Sequence, residues 1–282
     1  MGRRTSALML AGSACLLLVG GSIKPVGGQD IGGQSGETRQ TTYQARVANS
    51  DHPVMPVLKW ARDEASGMES GISDYSATLI SRERSNGKLG DYESVLLKIR
   101  HRPFSVYAYV MAPENRKGDE AIYVEGRNDG KLLAHTTGIT GRLMRTVALD
   151  PRGNLAMEGQ RHPITELGMV QLCRRVIQFA EDDVRYAESQ VQFFHGVKVG
   201  DRPCTCIEVM HPQPRSNFHF HLLRVFVDDQ LRTPIRYEHY DWPKQPGGAA
   251  ELVEEYTYAN LKLNNGFGDI DFDPRNRQYA FP

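Results

Sequence analysis

The sequence has 282 residues, of which 40% are hydrophobic and 24% are charged. This composition is typical of a globular protein, and it excludes a mostly disordered chain, a collagen-like chain and a membrane protein with several spans. The 34 basic and 34 acidic residues balance, so the chain lacks the positive charge expected of a nucleic-acid-binding protein. Four cysteines are too few for a scaffold held together by disulfides.

The N-terminal segment, residues 1–21, is typical of a secretory signal. Arg3 and Arg4 give it a positive start, an uncharged apolar run follows over residues 7–19, and the small residues 20–22 suit a cleavage site. The run is shorter than the ~20 residues that span a bilayer, so an uncleaved anchor is the less favoured alternative. The segment predicts export to the periplasm or cell envelope.

Residues 22–52 are predicted to form a disordered linker. This segment is rich in glycine and polar residues and holds almost no large apolar side chain. Burial of apolar surface therefore cannot offset the loss of chain entropy that folding would require. The remaining residues, 53–282, are predicted to form a single domain.

This domain is predicted to begin with a helix that six strands follow. Apolar residues recur three and four positions apart, as on one helix face, at Leu58, Ala61, Ala65, Met68 and Ile72. The pair Asn86-Gly87 separates the first two strands, as in many β-hairpins. Turn residues and prolines delimit the predicted strands, which are residues 75–84, 92–100, 102–113, 120–126, 131–135 and 142–151.

A second helix is predicted to begin near Ile164, and five strands follow it. The apolar face of this helix comprises Met169, Cys173, Val176, Ile177, Ala180 and Val184. The five strands are residues 189–200, 203–212, 217–229, 233–243 and 250–264. Because strands follow one another without intervening helices, the sheet should be antiparallel. We therefore predict an α+β fold in which two main helices cover a curved antiparallel sheet.

Several predicted strands are apolar on both faces. In the third strand the alternate sets are Phe104, Val106, Ala108 and Val110 against Tyr107, Tyr109 and Met111. A sheet with one face in water should instead alternate between apolar and polar residues. Either other elements cover the second face within a full core, or one face lines an apolar cavity under the helices.

Four segments of the chain resemble an uncharacterised family of exported bacterial proteins that carries a domain of unknown function. They are residues 96–135, 163–183, 217–243 and 269–281, and the resemblance covers roughly residues 55–282. More distantly, the order of strands, prolines and turns is similar to that of the lipoprotein carriers LolA and LolB. That similarity implies an open antiparallel half-barrel closed by helices, whose concave side takes acyl chains.

These observations lead to a hypothesis of ligand binding. We expect an exported, non-enzymatic protein that binds an acyl chain, a lipid or a lipoprotein in an apolar cleft, and that is at most peripheral to a membrane. The candidate contacts include both alternate sets of strand residues: Phe104, Val106, Tyr107, Tyr109, Phe218, Phe220 and Leu222. Two alternatives stay open: a structural or protein-interaction module without a pocket, and a hydrolase or metal-dependent enzyme with an unrecognised site.

Two pairs of residues give a weak indication of a metal site. Cys204 and Cys206 project from one face of a predicted strand, and His219 and His221 project from one face of the next. The two faces coincide in only one of two strand registers, and the spacing matches no standard zinc module. We therefore predict that no metal or other cofactor binds, and we assign no disulfide.

The C-terminal tail combines acidic and aromatic residues. Asp269, Asp271 and Asp273 resemble the start of an EF-hand loop, but Pro274 and Ala280 stand where that loop needs glycine and glutamate. We expect no calcium site. Instead, we predict that the aspartates face solvent and that the tail docks through its aromatic residues, Phe272, Tyr279 and Phe281.

Catalysis finds no support in the sequence motifs. The chain contains no G-x-S-x-G, H-E-x-x-H, Walker loop or G-x-G-x-x-G. The lone histidines are predicted to be ordinary surface or core residues: His101, His135, His162 and His239. We therefore predict that the protein is not an enzyme.

Overall fold

The computed structural model of this chain describes residues 40–41, 52–136, 146–186 and 188–282. Helix α1 spans Met55–Gly71 and helix α2 spans Met169–Asp183. Before α2 the strands are β1 Gln40–Thr41, β2 Asp74–Ser85, β3 Lys88–Leu89, β4 Glu93–Arg100, β5 Ser105–Ala112, β6 Glu120–Val124, β7 Leu132–His135 and β8 Val147–Leu149. After α2 they are β9 Gln190–Val199, β10 Arg202–Met210, β11 Leu222–Asp228, β12 Pro234–Asp241 and β13 Glu251–Leu263.

All of these strands belong to one antiparallel sheet. Its order is β1-β9-β10-β11-β12-β13-β2-β4-β5-β6-β7-β8, and the short strand β3 pairs with β2. Within the described residues the two ends of this order do not pair, so the sheet is open. The predicted α+β class, with an open antiparallel sheet and two main helices, is confirmed.

The sheet curves because its strands do not pair with a uniform register. Register shifts interrupt the pairing of β9 with β10, β11 with β12, β12 with β13, β13 with β2 and β4 with β5. Shifts of this kind bend a strand and increase its twist locally. They allow the middle of the sheet to wrap around the helices.

Both helices form because their apolar residues recur at helical spacing and can be buried together. Pro56 lies in the first turn of α1, where its missing N–H costs no hydrogen bond. The predicted stripe of α1 is buried at Leu58, Ala61, Ala65, Met68 and Ile72. The two helices pack against each other and against one face of the sheet, which we call the helix face. This face contains the main hydrophobic core.

The opposite face of the sheet, which we call the outer face, has a second, smaller core. Tyr107 of β5 and Ile122 and Val124 of β6 pack there against Phe272 and Phe281 of the C-terminal tail. The second apolar face of β5 is therefore covered by the tail rather than by a helix. The tail docks through the aromatic residues that the sequence indicated.

The tail aspartates differ from the expectation that they face solvent. Asp271 pairs with Lys98 at 2.8 Å. Asp269 is exposed but bridges Arg100 and Arg127, each at 2.9 Å. These ion pairs fix the tail to β4 and to the β6–β7 connection because each carboxylate lies opposite a basic side chain of the sheet.

Some predicted boundaries also differ from the structure. The strand expected from residue 217 begins at Leu222, because residues 217–221 pack irregularly against the end of α2. The helix expected from Ile164 begins at Met169, after a short 3₁₀ turn. Residues 142–145 of the sixth predicted strand lie outside the described residues.

The predicted secretory segment, residues 1–21, and nearly all of the predicted linker, residues 22–52, also lie outside the described residues. Three residues of that linker are described: Gln40 and Thr41 pair with Phe194 and Phe193 of β9, and His52 precedes α1. In the described part of the chain, no helix is both long enough and apolar enough to cross a membrane.

Candidate functional site

A cavity of about 280 Å³ opens on the helix face of the sheet. Residues of β2 and of β4 to β8 form one wall, and residues 155–168 and the start of α2 form the other. Its apolar lining includes Leu79, Val95, Leu97, Leu132, Leu149 and Leu172. The cavity is therefore bounded by the sheet on one side and by the chain entering α2 on the other.

Three alanines make room for this cavity. Ala108 of β5 pairs with Ala121 of β6, and Ala121 pairs with Ala134 of β7. All three line the cavity. Three neighbouring strands thus place a methyl group at the same level of the sheet, where larger side chains would fill the space. We call Ala108, Ala121 and Ala134 the alanine row.

A group of charged side chains beside the cavity surrounds a buried carboxylate. Glu254 of β13 is 1% exposed. Its carboxylate accepts hydrogen bonds from Arg161 Nε at 2.9 Å and from His162 Nε2 at 2.8 Å. The hydroxyl of Tyr256 donates to Glu83, and the backbone N–H of Arg161 donates to the other oxygen of Glu83 at 2.8 Å. These contacts join residues 161–162 to the sheet beside the cavity.

The pKa values of Glu254 and Glu83 are shifted in opposite directions. Burial alone would raise the pKa of Glu254, but hydrogen bonds and positive charge from His162 and His239 outweigh it and hold that pKa well below its usual range. Burial raises the pKa of Glu83, and its hydrogen bonds with Tyr256 and Arg161 offset this only in part. Glu254 is thus stabilised as an anion, whereas Glu83 gains proton affinity.

The structure does not bring the seven predicted ligand contacts together. Val106 is buried in the main core, and Phe104 packs at its edge. Tyr107 and Tyr109 lie on the outer face with the tail. Phe104 also lines a second cleft of about 320 Å³, which is bordered mainly by polar residues such as Arg174.

The three remaining predicted contacts lie around the start of β11. The ring of Phe218 stacks on His211 with centroids 3.9 Å apart, and Phe220 packs against the same histidine. Leu222 is the first residue of β11 and is half-buried. In the part of the chain that is described, none of the seven lines the 280 Å³ cavity. Ligand contact by these residues stays a prediction.

The cysteine and histidine pairs lie in separate places. Cys204 and Cys206 pair in register with Asp228 and Phe226, at the far end of β11 from His219 and His221. Cys204, Cys206 and Cys173 are buried free thiols. Among the described residues, no group of three or more histidine, cysteine, aspartate or glutamate side chains is arranged to hold a metal ion.

A buried histidine that directly follows β10 fixes the end of α2. His211 is 0% exposed, and its Nε2 lies 2.9 Å from Asp183 of α2 and 3.2 Å from the Ser189 hydroxyl. Its Nδ1 donates to the carbonyl oxygen of Phe220 at 2.9 Å. Serine and aspartate therefore meet the same ring nitrogen, unlike a catalytic triad, in which they meet different nitrogens.

Neither the alanine row nor the group of charged side chains around Glu254 was identified from the sequence. The alanines are separated by turns of different lengths, and their alignment depends on the strand register. Arg161 and Glu254 are 93 residues apart. The one local feature of the sequence that could have indicated the alanine row is the alternation of small and large residues in β5.

Several solved structures are similar to this fold at low sequence identity. The lipoprotein LppX of Mycobacterium tuberculosis is 12% identical, the match covers 77% of this chain and 99% of that chain, and the TM-score is 0.42. A LolA superfamily protein of Nitrosomonas europaea is 10% identical, with 77% and 97% covered and a TM-score of 0.33. An uncharacterized conserved protein of Thermus thermophilus is 7% identical, with 77% and 92% covered and a TM-score of 0.42.

No curated protein matches this sequence significantly. A family model does match, and it extends from the end of α1 to the docked C-terminal tail. The expected resemblance to a family with a domain of unknown function is therefore confirmed. Because the match covers residues 72–281, which is most of the sequence, the chain belongs to the family described as protein of unknown function DUF1571.

Proposed function

We propose that this protein binds one acyl chain, from a lipid or a lipoprotein, in the cavity on the helix face. The observation that carries the proposal is the cavity of about 280 Å³, whose lining combines apolar residues, the alanine row among them, with charged side chains such as Arg175. Pockets for small ligands are usually apolar, with a few polar groups that orient the ligand. An amphiphile with an apolar chain and a polar head matches this division.

The size of the cavity favours a single chain. Ligand pockets usually measure about 300–1,000 Å³, so this cavity lies just below that range. Burial of apolar area contributes about 25 cal/mol per Å², less the cost of ordering the ligand. A single extended chain along Leu97 and the alanine row would gain from this term without displacing the sheet or the helices.

We further propose that the protein acts in the periplasm or cell envelope as a binding protein without an enzymatic reaction. The support for export is the signal-like pattern of residues 1–21. The support for binding rather than catalysis is that the charged groups beside the cavity pair mainly with one another, as Glu254 does with Arg161 and His162. A solid interaction module would need no such cavity, so the cavity favours the binder over that alternative.

Mass spectrometry of the full chain, exported to a bacterial periplasm and purified, tests the proposal. Native and denatured masses reveal a co-purified lipid, and added dodecanoate reveals uptake by an empty site. We expect about one acyl chain per protein. A clean protein mass together with no uptake would refute acyl-chain binding.

A pair of matched variants locates the site. Ala108→Phe places a ring in the alanine row and should abolish uptake, because the ring occupies the space of the chain. Ala148→Phe makes the same change on β8 at an exposed position that does not line the cavity, and it should leave uptake unchanged. Equal uptake by both variants would place any bound chain elsewhere.

A further inference from the structure

We infer that the ligand of this cavity has an anionic head group and that Arg175 binds that head. The inference rests on the proposed function, and it defines the class of ligand more narrowly. Arg175 lies on α2 three residues after Leu172, so both side chains face the same side of the helix and both line the cavity. A chain along Leu172 would bring its head to the guanidinium.

Carboxylate oxygens lie farther from the guanidinium of Arg175 than from those of Arg152 and Arg161. Its nearest carboxylate oxygens belong to Glu166 at 3.8 Å and Glu254 at 3.7 Å, both beyond hydrogen-bond distance. The side chain is nevertheless only 14% exposed. A guanidinium has five N–H donors in a planar fork, which suits the oxygens of a carboxylate or a phosphate.

Each of these two carboxylates already has a closer cation. Glu166 accepts a hydrogen bond from Arg152 at 2.7 Å, and Glu254 accepts one from Arg161 at 2.9 Å. Three guanidinium groups therefore surround two carboxylates. An anion at Arg175 would give this third guanidinium an acidic partner at hydrogen-bond distance.

The cavity is also lined by acidic residues on other elements, which are Glu83, Glu93, Asp119, Glu120 and Glu158. Glu93 is paired with Arg116 at 2.6 Å. Glu83 accepts hydrogen bonds from the hydroxyl of Tyr256 and the backbone of Arg161, and its raised pKa makes its ionised form less favourable. An anionic head placed between Leu172 and Arg175 would thus meet a guanidinium whose neighbouring carboxylates, those of Glu166 and Glu254, already have closer cations.

A comparison of three ligands with the same chain tests the inference on the full-length protein. Dodecanoate carries a carboxylate, dodecyl phosphate carries a phosphate, and dodecanol carries no charge. Titration calorimetry or competition with a fluorescent acyl probe gives each affinity at neutral pH. We expect at least one anionic ligand to bind about tenfold more tightly than dodecanol, because a hydrogen bond between charged groups exceeds a neutral one. The tighter of the two anions identifies the head group.

Two variants assign this preference to Arg175. Arg175→Gln should bring the affinity of the preferred anion close to that of dodecanol, with dodecanol itself unchanged. Arg152→Gln removes a neighbouring guanidinium that does not line the cavity, and it should preserve the preference. If Arg175→Gln fails to fold, the comparison of ligands on the unaltered chain still decides.

The possible results separate this inference from the proposed function. Equal affinity for all three ligands would overturn the anionic head but leave acyl-chain binding intact. An equal loss of preference in both arginine variants would overturn the role of Arg175. Absence of binding by all three ligands would remove the proposed function and this inference together.

Discussion

The hydroxyl group of Tyr75 occupies the place where a side chain at Gly168 would begin. A Cβ atom on Gly168 would lie 2.6 Å from this oxygen and 3.2 Å from Ile99 Cδ1. The same hydroxyl accepts the N–H of Met169 at 2.9 Å, and the Tyr258 hydroxyl accepts the N–H of Gly168 at 3.2 Å. Two buried tyrosines therefore cap the start of α2, where the chain also borders the cavity.

Gly168→Ala should destabilise the protein. Gly168 has φ of 113° and ψ of 165°, a region that residues with a side chain rarely adopt. The strained backbone alone should cost about 1–3 kcal/mol, and the contact with Tyr75 adds to it. Urea unfolding measures the loss. Gly67→Ala is the control, since Gly67 is an exposed residue within α1 with open space around it, and it should gain up to about 1 kcal/mol. Equal stability of Gly168→Ala and the unaltered chain would contradict the close packing.

His211→Ala should be among the more damaging single changes in this chain. The substitution leaves Asp183, which is 1% exposed, without its charged or hydrogen-bonded partner. Removal of one member of a buried pair costs about 3–5 kcal/mol. His219→Ala is the matched control, because its contact with Asp182 at 3.0 Å is 44% and 41% exposed and should contribute less than about 1 kcal/mol. Denaturant unfolding of both variants checks the difference, and similar losses would argue against a special role for the buried pair.

Local sequence patterns were enough to predict the two helices and most of the strands, but not the two-residue strands β1 and β3. Leu58, Ala61 and Ala65 define a helix by their spacing alone, and Asn86-Gly87 defines a turn. Such signals act over a few residues, so they need no knowledge of the tertiary structure. The antiparallel sheet followed from the order of these elements.

The site could not be predicted because it depends on contacts between distant residues. Ala121 and Ala134 meet through strand register, and Glu254 meets His162 through the packing of a segment 92 residues earlier in the chain. Likewise, the two apolar sets of β5 were visible in the sequence, but the cover over Tyr107 is a tail more than 150 residues away. The alternation of side chains between the two faces of a strand cannot specify which element covers which face.

Removal of residues 269–282 should lower the melting temperature. The tail buries Phe272 and Phe281 on the outer face, and Tyr279 stacks on Tyr107 with centroids 3.9 Å apart. Phe272→Ala alone should cost about 3–5 kcal/mol, because it leaves a cavity in a small core. Ile270→Ala, at a residue that is 56% exposed, should change stability little. Thermal unfolding followed by circular dichroism distinguishes these variants, and an unchanged melting curve for the truncated chain would refute docking.

Acid should weaken the protein partly through Glu254. Its pKa in the folded state lies well below the usual 4.5, so its contribution is complete above that value and is lost as the pH falls through the folded pKa. Glu254→Gln should cost about 3–5 kcal/mol at pH 7, because Arg161 and His162 lose a buried anion. The difference from the unaltered chain should shrink as the pH falls below about 4.5. Urea unfolding across this range measures it, with exposed Glu158→Gln as the control. A stability difference that does not vary with pH would show that Glu254 does not act through its charge.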